Sequence, residues 1–544
     1  MNTLISFYSL MLFSYLFLCA VEAKEIIVVN HSGSIQQAID QARSGDVILI
    51  EGGTYFESIV IKKSGLTIKP KPGEEVKITS AYPEYFNKEI KWKKEYSRKH
   101  PITGKSYTVY AAAYPKYRKK PKGLIYGYIS DSDDQLYFTY RDKISFDYQY
   151  AVNKEVRGAF FDSDKIYIAS EKDPNKESLY VSDRRIAEIY KAGNITIDGG
   201  DEKNLVFANG GRYGIIINLL SGEKSVLKNL RFINSHSGVM INSIQSGEIE
   251  ISNNLFNQYL EELPWEFQKT GITDKMDMKR QDISKVLKAK NSSAAYMETT
   301  AVLASKNGEG RVKILDNSVY GYFNGIVSTT NNVEIAYNKL SELRDDAIEI
   351  EGHTPDNVVH HNDVSCSFVG ISLVPVRTGP VYIYQNEIIM NNPPQVMRRG
   401  IKSRRLIHRN GKTIKFTNLS PKDISSDVHI YNNRFYALDD VLNIGSSEKP
   451  EYNPKRSSFY NNVFLSSGRI SSSYGRASDG IDYQGNIFNS FSITSKDLDS
   501  PEHRSWKNTK TNDANIKKGV IQNNYKKEIP ISWPGAKELN SLNY

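Results

Sequence analysis

The sequence predicts an all-β fold, a parallel β-helix solenoid with an N-terminal capping helix, on three observations. These are a short repeat, the alternating apolar pattern inside it, and a helical stretch that precedes it. The repeat reads as alternating apolar residues ending in asparagine: IEISNN at Asn254, VKILDN at Asn317, VEIAYN at Asn338 and NVVHHN at Asn362. It continues as VYIYQN at Asn386, VHIYNN at Asn433, SFYNN at Asn462 and IDYQGN at Asn486. From Asn317 to Asn386 the steps are 21, 24 and 24 residues, and Asn462 to Asn486 is again 24. A βα unit needs ~30 residues or more, so this period is too short for one. It suits coils of short parallel strands whose inward residues stack on the next coil. The asparagine is expected at a corner, in a left-handed conformation, with its amide bonded to the asparagines above and below.

The elements follow in chain order. Residues 1 to 23 hold an apolar run from Leu4 to Cys19 and then small residues that suit cleavage before Lys24, the pattern of a secretion signal. Within residues 24 to 80, Ile35, Ala38, Ile39 and Ala42 recur at helical spacing, and strand alternation begins after Gly45. A helix here would cover the open end of the first coil, whose unpaired backbone would otherwise invite edge-to-edge association. Residues 81 to 190 are rich in Tyr and Lys, with QLYFTY and KIYIAS as strands of an inserted β-subdomain. The main solenoid spans 191 to 495, interrupted at 258 to 300, with a helix around DISKVLKAK, and at 391 to 427. Such insertions wall a binding groove. The tail from 496 to 544 is expected to fold back as a terminal cover.

The chain has 71 Lys and Arg against 62 Asp and Glu. Cleavage at Lys24 removes only Glu22, leaving 71 − 61 = +10. In an exported protein this excess suits an acidic polysaccharide or the cell envelope rather than nucleic acid. Cys19 leaves with the signal, so Cys366 has no partner for an internal disulfide. A bacterial secreted or periplasmic location is expected, with no later segment near the ~20 apolar residues that span a membrane.

The N-terminus and the asparagine-ended coils, over about residues 25 to 80 and 190 to 490, resemble the right-handed parallel β-helix proteins of the pectate lyase-like class. That class includes lyases, hydrolases, epimerases and phage tailspikes.

Chemistry concentrates in DDAIEIEGH, Asp345 to His353. Aligning NGIVST, DAIEIE and VGISLV points Ile326, Ile348 and Ile371 inward, with Ile350 and Leu373, and sends Glu349 and Glu351 outward on one side. Two like charges ~7 Å apart along a strand are offset by a cation, an arginine or a shared proton, or stand on a solvated strand face. Arg377, one coil on, is placed to reach them. Asp345 and Asp346 are candidates for turn formation or for a carboxyl pair. His360 and His361 are expected to be structural, and Trp92 and Tyr117 are candidates for packing or for stacking on sugars.

This arrangement is similar to the alginate lyase and chondroitinase B family. The resemblance implies that Glu349 and Glu351 help bind Ca²⁺ and that Arg377 completes proton transfer. The base lysine is not matched, since GHTPDNVV follows Glu351. His353 is then the expected base, or Lys402 from the insertion. Polygalacturonases offer a second comparison: their paired aspartates resemble Asp345 and Asp346, and their Gly-His-Gly-Ile-Ser resembles Phe368 to Ser372, with Val369 in place of the histidine. Arg399, Lys402 and Arg404 are expected to hold an anionic glycan.

The expected function is an exported enzyme on a uronate polysaccharide, acting by β-elimination or C5 epimerisation. A carboxylate-pair hydrolase and a noncatalytic glycan-binding protein are the alternatives. If the signal is cleaved as expected, N-terminal sequencing of the exported protein begins at Lys24.

Overall fold

The computed structural model describes residues 24–29, 33–99, 104–117, 127–140, 143–147, 156–258, 299–306, 308–343, 345–365, 367–390, 412–416, 426–437, 441–444, 454–466, 481–490, 520–522 and 531–537. They build a right-handed parallel β-helix with three long sheets. The first sheet has 13 strands, from Glu25–Val28 to Ile481–Gln484. The second also has 13, from Gly53–Phe56 to Val520–Gln522, and the third has 10, from Ile59–Ile61 to Leu442–Ile444. One coil visits each sheet in turn: Val333–Ala336, Lys339–Ser341, Asp346–His353, then Asn357–His360 back in the first sheet.

Apolar residues recur at the same place in each coil, so the parallel register stacks like on like. Ile326, Ile348, Ile371 and Ile414 form one fully buried file. Phe207, Phe232 and Phe256 form another, with ring centroids 5.5 and 4.7 Å apart.

The asparagines make a continuous ladder at the corner between the first and second sheets. The side-chain amide of Asn254 donates to Asn317 Oδ1 at 3.0 Å, and Asn317 donates to Asn338 at 3.0 Å. The chain of bonds runs on through Asn362, Asn386, Asn433 and Asn462 to Asn486. Each acceptor oxygen also takes the backbone N–H of the previous rung, as Asn362 Oδ1 does from Asn338 N at 3.1 Å. The second amide proton goes to a strand carbonyl, such as Ile335 O for Asn362. The left-handed conformation falls on the preceding residue instead of the asparagine. Asn253, Asp316, Tyr337, His361, Gln385, Asn432 and Asn461 have φ from 51 to 59°. That residue turns the chain, which frees the asparagine to aim its N–H and amide along the axis.

His361 is thus a corner residue. His360 is buried, stacks on Tyr384 at 4.9 Å and meets Glu334 at 3.4 Å, so the pair is structural.

The capping helix, α1, spans Ile35–Gln41 and buries Ile35, Ala38 and Ile39. Ser34 Oγ accepts from Gln37 N, and the Glu57 carboxylate accepts from the N–H groups of Ile35 and Gln36. A carboxylate there satisfies donors that the helix itself cannot.

The inserted subdomain is a seven-stranded sheet with its own core around Tyr82, Trp92, Tyr137, Phe161 and Ile168. It leaves the solenoid between the second-sheet strand Val76–Thr79 and the third-sheet strand Ala187–Tyr190, which already belongs to the coils. Residues 259–298 depart from the same corner, between Leu255–Asn257 and Thr300–Ala304. Residues 391–411 do so again, between Glu387–Met390 and Lys412–Phe416. All three long connections thus join a second-sheet strand to a third-sheet strand. Lys412–Phe416, expected within an insertion, is a solenoid strand paired with Val369–Thr378. The expected helix around DISKVLKAK lies outside the described residues.

At the far end, Val520–Gln522 pairs antiparallel with Ile487–Ser490 and covers that edge. Among the described residues no helix is long and apolar enough to cross a membrane.

Because Asn362 is buried and serves both neighbouring rungs, Asn362→Ala leaves several polar groups unsatisfied. It is expected to lower stability by about 2–4 kcal/mol, against less than about 0.5 kcal/mol for the exposed Lys339→Ala, read from urea unfolding.

Candidate functional site

The outer face of the third sheet carries the acidic cluster. Glu349 pairs in register with Val327 on one side and Ser372 on the other, and Ser372 pairs with Lys415. The sequence places these residues on three coils, and the register brings them into one file.

Asp346 joins them by a departure from simple alternation. It has the parity of Ile348 and Ile350, which face the core. At the corner, however, the small residues of the preceding row also turn inward: a Cβ on Gly325 would meet Leu340 and Leu343, and one on Gly370 would meet Ile388 and Met390. With Ala347 buried in that row, Asp346 is left on the outer side, where its Oδ2 lies 4.0 Å from Lys415 Nζ.

Neighbouring coils cover Asp346 until it is 4 % exposed. Its Oδ1 and the Ser372 Oγ lie close together, but neither makes a hydrogen bond of full geometry among the described residues. Burial pushes the Asp346 carboxyl above its ordinary value, opposed by the Lys415 ammonium and the Ser372 hydroxyl. Its neighbour has a different environment. Glu349 is half-buried and its Oε2 accepts from Asn324 Nδ2 at 3.1 Å. Asn324 also accepts the Asp346 backbone N–H at 3.3 Å, so one amide fixes both acids.

The other expected residues lie further along the strand. Glu351 is half-buried, and by alternation shares the outer side with Glu349. His353 is exposed, beyond a bulge at Gly352, and its Nδ1 meets Thr378 Oγ1 at 3.2 Å. The exposed Arg377 places Nη1 4.0 Å from the position of a Cβ on Gly352, at the His353 end. The predicted constellation therefore divides: Asp346 and Glu349 gather with Lys415 at the strand start, while Arg377 lies beside Gly352 and His353 at its end. Asp345 sits at the corner, where its N–H bonds Phe323 O and its carbonyl accepts Val369 N. Arg399, Lys402 and Arg404 lie outside the described residues.

Sequence reasoning missed Asn324, Ser372 and Lys415. The available signal for Lys415 was the KTIKF alternation, which repeats the apolar spacing of VGISLV with lysine at the outward position.

For the expected calcium, Glu349 and Glu351 share a face. Among the described residues, though, no three His, Cys, Asp or Glu side chains gather into a metal-holding group. The two glutamates would offer carboxylate oxygens to a hard cation, and Lys415 places a positive charge beside Asp346.

In the subdomain, Trp92 is buried packing, while Tyr117 is 60 % exposed and donates to Glu84.

No family model matches the chain, and no curated protein matches it in sequence. Solved structures similar to it include XylC in complex with xylose, at 13 % identity, covering 87 % of this chain and 76 % of that one, with a TM-score of 0.47. A family 28 exopolygalacturonase from Yersinia enterocolitica is 11 % identical over 85 % of this chain and 78 % of its own, with a TM-score of 0.43. A mannuronic acid specific family 6 polysaccharide lyase from human gut microbiota is 10 % identical over 89 % and 90 %, with a TM-score of 0.32. These are likenesses of fold.

A carboxyl whose value is raised on folding binds its proton more tightly in the folded chain. The stability it contributes is present below the unfolded value and lost as pH rises through the folded one. Asp346→Asn is therefore expected to raise the thermal midpoint at pH 7 and to leave it unchanged near pH 3.5, read by calorimetry at both pH values.

Proposed function

We propose that the chain is an exported polysaccharide-cleaving enzyme whose site is the Asn324, Asp346, Glu349 and Lys415 cluster. The observation that carries this reading is the buried Asp346 carboxyl, held toward its protonated form next to a hydrogen-bonded Glu349. A buried carboxyl held toward its protonated form, with a second, partly exposed carboxyl beside it, is suited to the acid role in glycoside cleavage. Asp346 donates a proton to the glycosidic oxygen as the bond breaks, and Glu349 acts on the opposite side, as nucleophile or through a water. Lys415 keeps the acid close to its working range and offers an ammonium to an anionic sugar. The three insertions leaving beside the third sheet suit the walls of a groove for a long chain.

Elimination is the second reading, favoured by Lys415. An ammonium on the outer face can neutralise a uronate carboxylate while a base, with His353 the candidate, takes the C5 proton, the C4–C5 double bond forms and the C4–O bond breaks to a protonated leaving group; Arg377 lies further along the same strand pair. Calcium at Glu349 and Glu351 belongs to this reading as a proposal, and no step depends on it.

Incubation with pectate, alginate and neutral plant glycans, with and without calcium, separates the two. Hydrolysis is expected to release reducing ends without the ultraviolet absorbance of unsaturated products, and that absorbance would transfer the assignment to elimination. Asp346→Asn and Glu349→Gln are each expected to lower turnover by about 10²–10⁴-fold. Full activity in both variants would remove the cluster from the chemistry.

A further inference from the structure

The outer face of the first sheet changes character along its length. Over the earlier coils it carries ordinary ion pairs, Lys224 with Glu250 at 2.7 Å, Lys313 with Glu248 at 2.8 Å, and Arg311 with Glu334 at 2.7 Å. Over the later coils it becomes aromatic, with Tyr384 stacked on Tyr431 at 5.1 Å and Tyr382 on His429 at 5.5 Å. The solenoid core is on the opposite side of these strands, so core packing does not call for this surface.

The C-terminal segment lays one further ring on it. Trp533 lies 4.2 Å from His429, 5.2 Å from Tyr431 and 5.9 Å from Tyr382, and is nearly parallel to Tyr460 at 5.8 Å. The segment is anchored by Tyr431, which donates to Pro534 O at 2.8 Å, and by the buried Ala536. Trp533 itself stays half-exposed. Beside it opens a depression of about 540 Å³ lined by His429, Arg456, Ser458, Tyr460, Asp482 and Trp533. That size falls among small-molecule sites.

Its polar groups are fixed in place. Asp482 accepts from Tyr460 Oη at 2.6 Å and from Gln484 at 3.0 Å, while remaining exposed. Arg456 forms a bidentate pair with Asp427, both bonds at 2.8 Å. A guanidinium has five N–H donors, so this pair leaves some for a ligand. Aromatic faces beside an exposed carboxylate and a held guanidinium match a pyranose, which has apolar C–H faces and a rim of hydroxyls. Among the described lining residues, Asp482 is the exposed carboxylate while Arg456 is already paired with Asp427, an arrangement that favours hydroxyls over a second carboxylate.

We propose that this depression is a second saccharide site, on a different sheet from the acidic cluster, that takes a neutral pyranose against Trp533 and Tyr460 with Asp482 and Arg456 on its hydroxyls. It would hold a neutral stretch of glycan on the back of the solenoid, independently of whether the front site cleaves by hydrolysis or elimination.

The test is calorimetric titration of the full chain carrying Glu349→Gln, which prevents turnover, with cellohexaose, xylohexaose, mannohexaose and hexagalacturonate. At least one neutral hexasaccharide is expected to bind, more tightly than hexagalacturonate. Asp482→Ala, an exposed change that leaves the Trp533 anchor in place, is expected to weaken binding by about tenfold, and Trp533→Ala by at least as much. Lys415→Ala on the front face should leave it unchanged. The proposal is overturned if no neutral saccharide binds, if Asp482→Ala has no effect in a protein with unaltered circular dichroism, or if Lys415→Ala abolishes the binding.

Discussion

The asparagine ladder is the constraint on which the rest of this structure depends. Each rung ties a corner of one coil to the same corner of the next through two bonds to a single oxygen, in a place sealed from water. A slip by one residue would put a buried amide opposite a partner that cannot satisfy it, at a cost comparable with several ordinary hydrogen bonds. The ladder therefore sets the register of all three sheets. That register in turn decides which outward residues of different coils become neighbours, which is how Glu349, Ser372 and Lys415 come to share a file.

The same regularity explains where departures are tolerated. The corner between the first and second sheets is held by the ladder from Asn254 to Asn486, and its turns stay short. Among the described residues the corner from second to third sheet carries no such ladder, and the three longest second-to-third-sheet connections in sequence fall there. On the third sheet, small residues at Gly325, Ala347 and Gly370 turn the strand start inward and put Asp346 outside.

Coils carrying the ladder were legible in the sequence because one residue type must recur at one place, as at Asn338, Asn362 and Asn386. Third-sheet strands lack that mark, which is why Lys412–Phe416 read as part of an insertion although it pairs with Val369–Thr378. The outward placement of Glu349 followed from alternation. The burial of Asp346 did not, since it arises from side chains on neighbouring coils, and neither did the reach of Lys415 across two coils. Arg377 was expected near the glutamates from its position one coil on, and the register places it beside Gly352, next to Glu351 and His353. Composition suggested an anionic partner, which suits Lys415 on the third sheet, whereas the aromatic surface around Trp533 on the first sheet has a different chemistry.

In the proposed function Asp346 and Glu349 face one glycosidic bond on the outer side of the third sheet. A crystal structure of the Glu349→Gln protein with a bound oligosaccharide tests this most directly. The account requires a glycosidic oxygen within hydrogen-bond reach of Asp346 Oδ1, with the adjoining anomeric carbon facing residue 349. A sugar chain that crosses the third sheet with Asp346 still covered, or that centres on His353 and Arg377 instead, would contradict it.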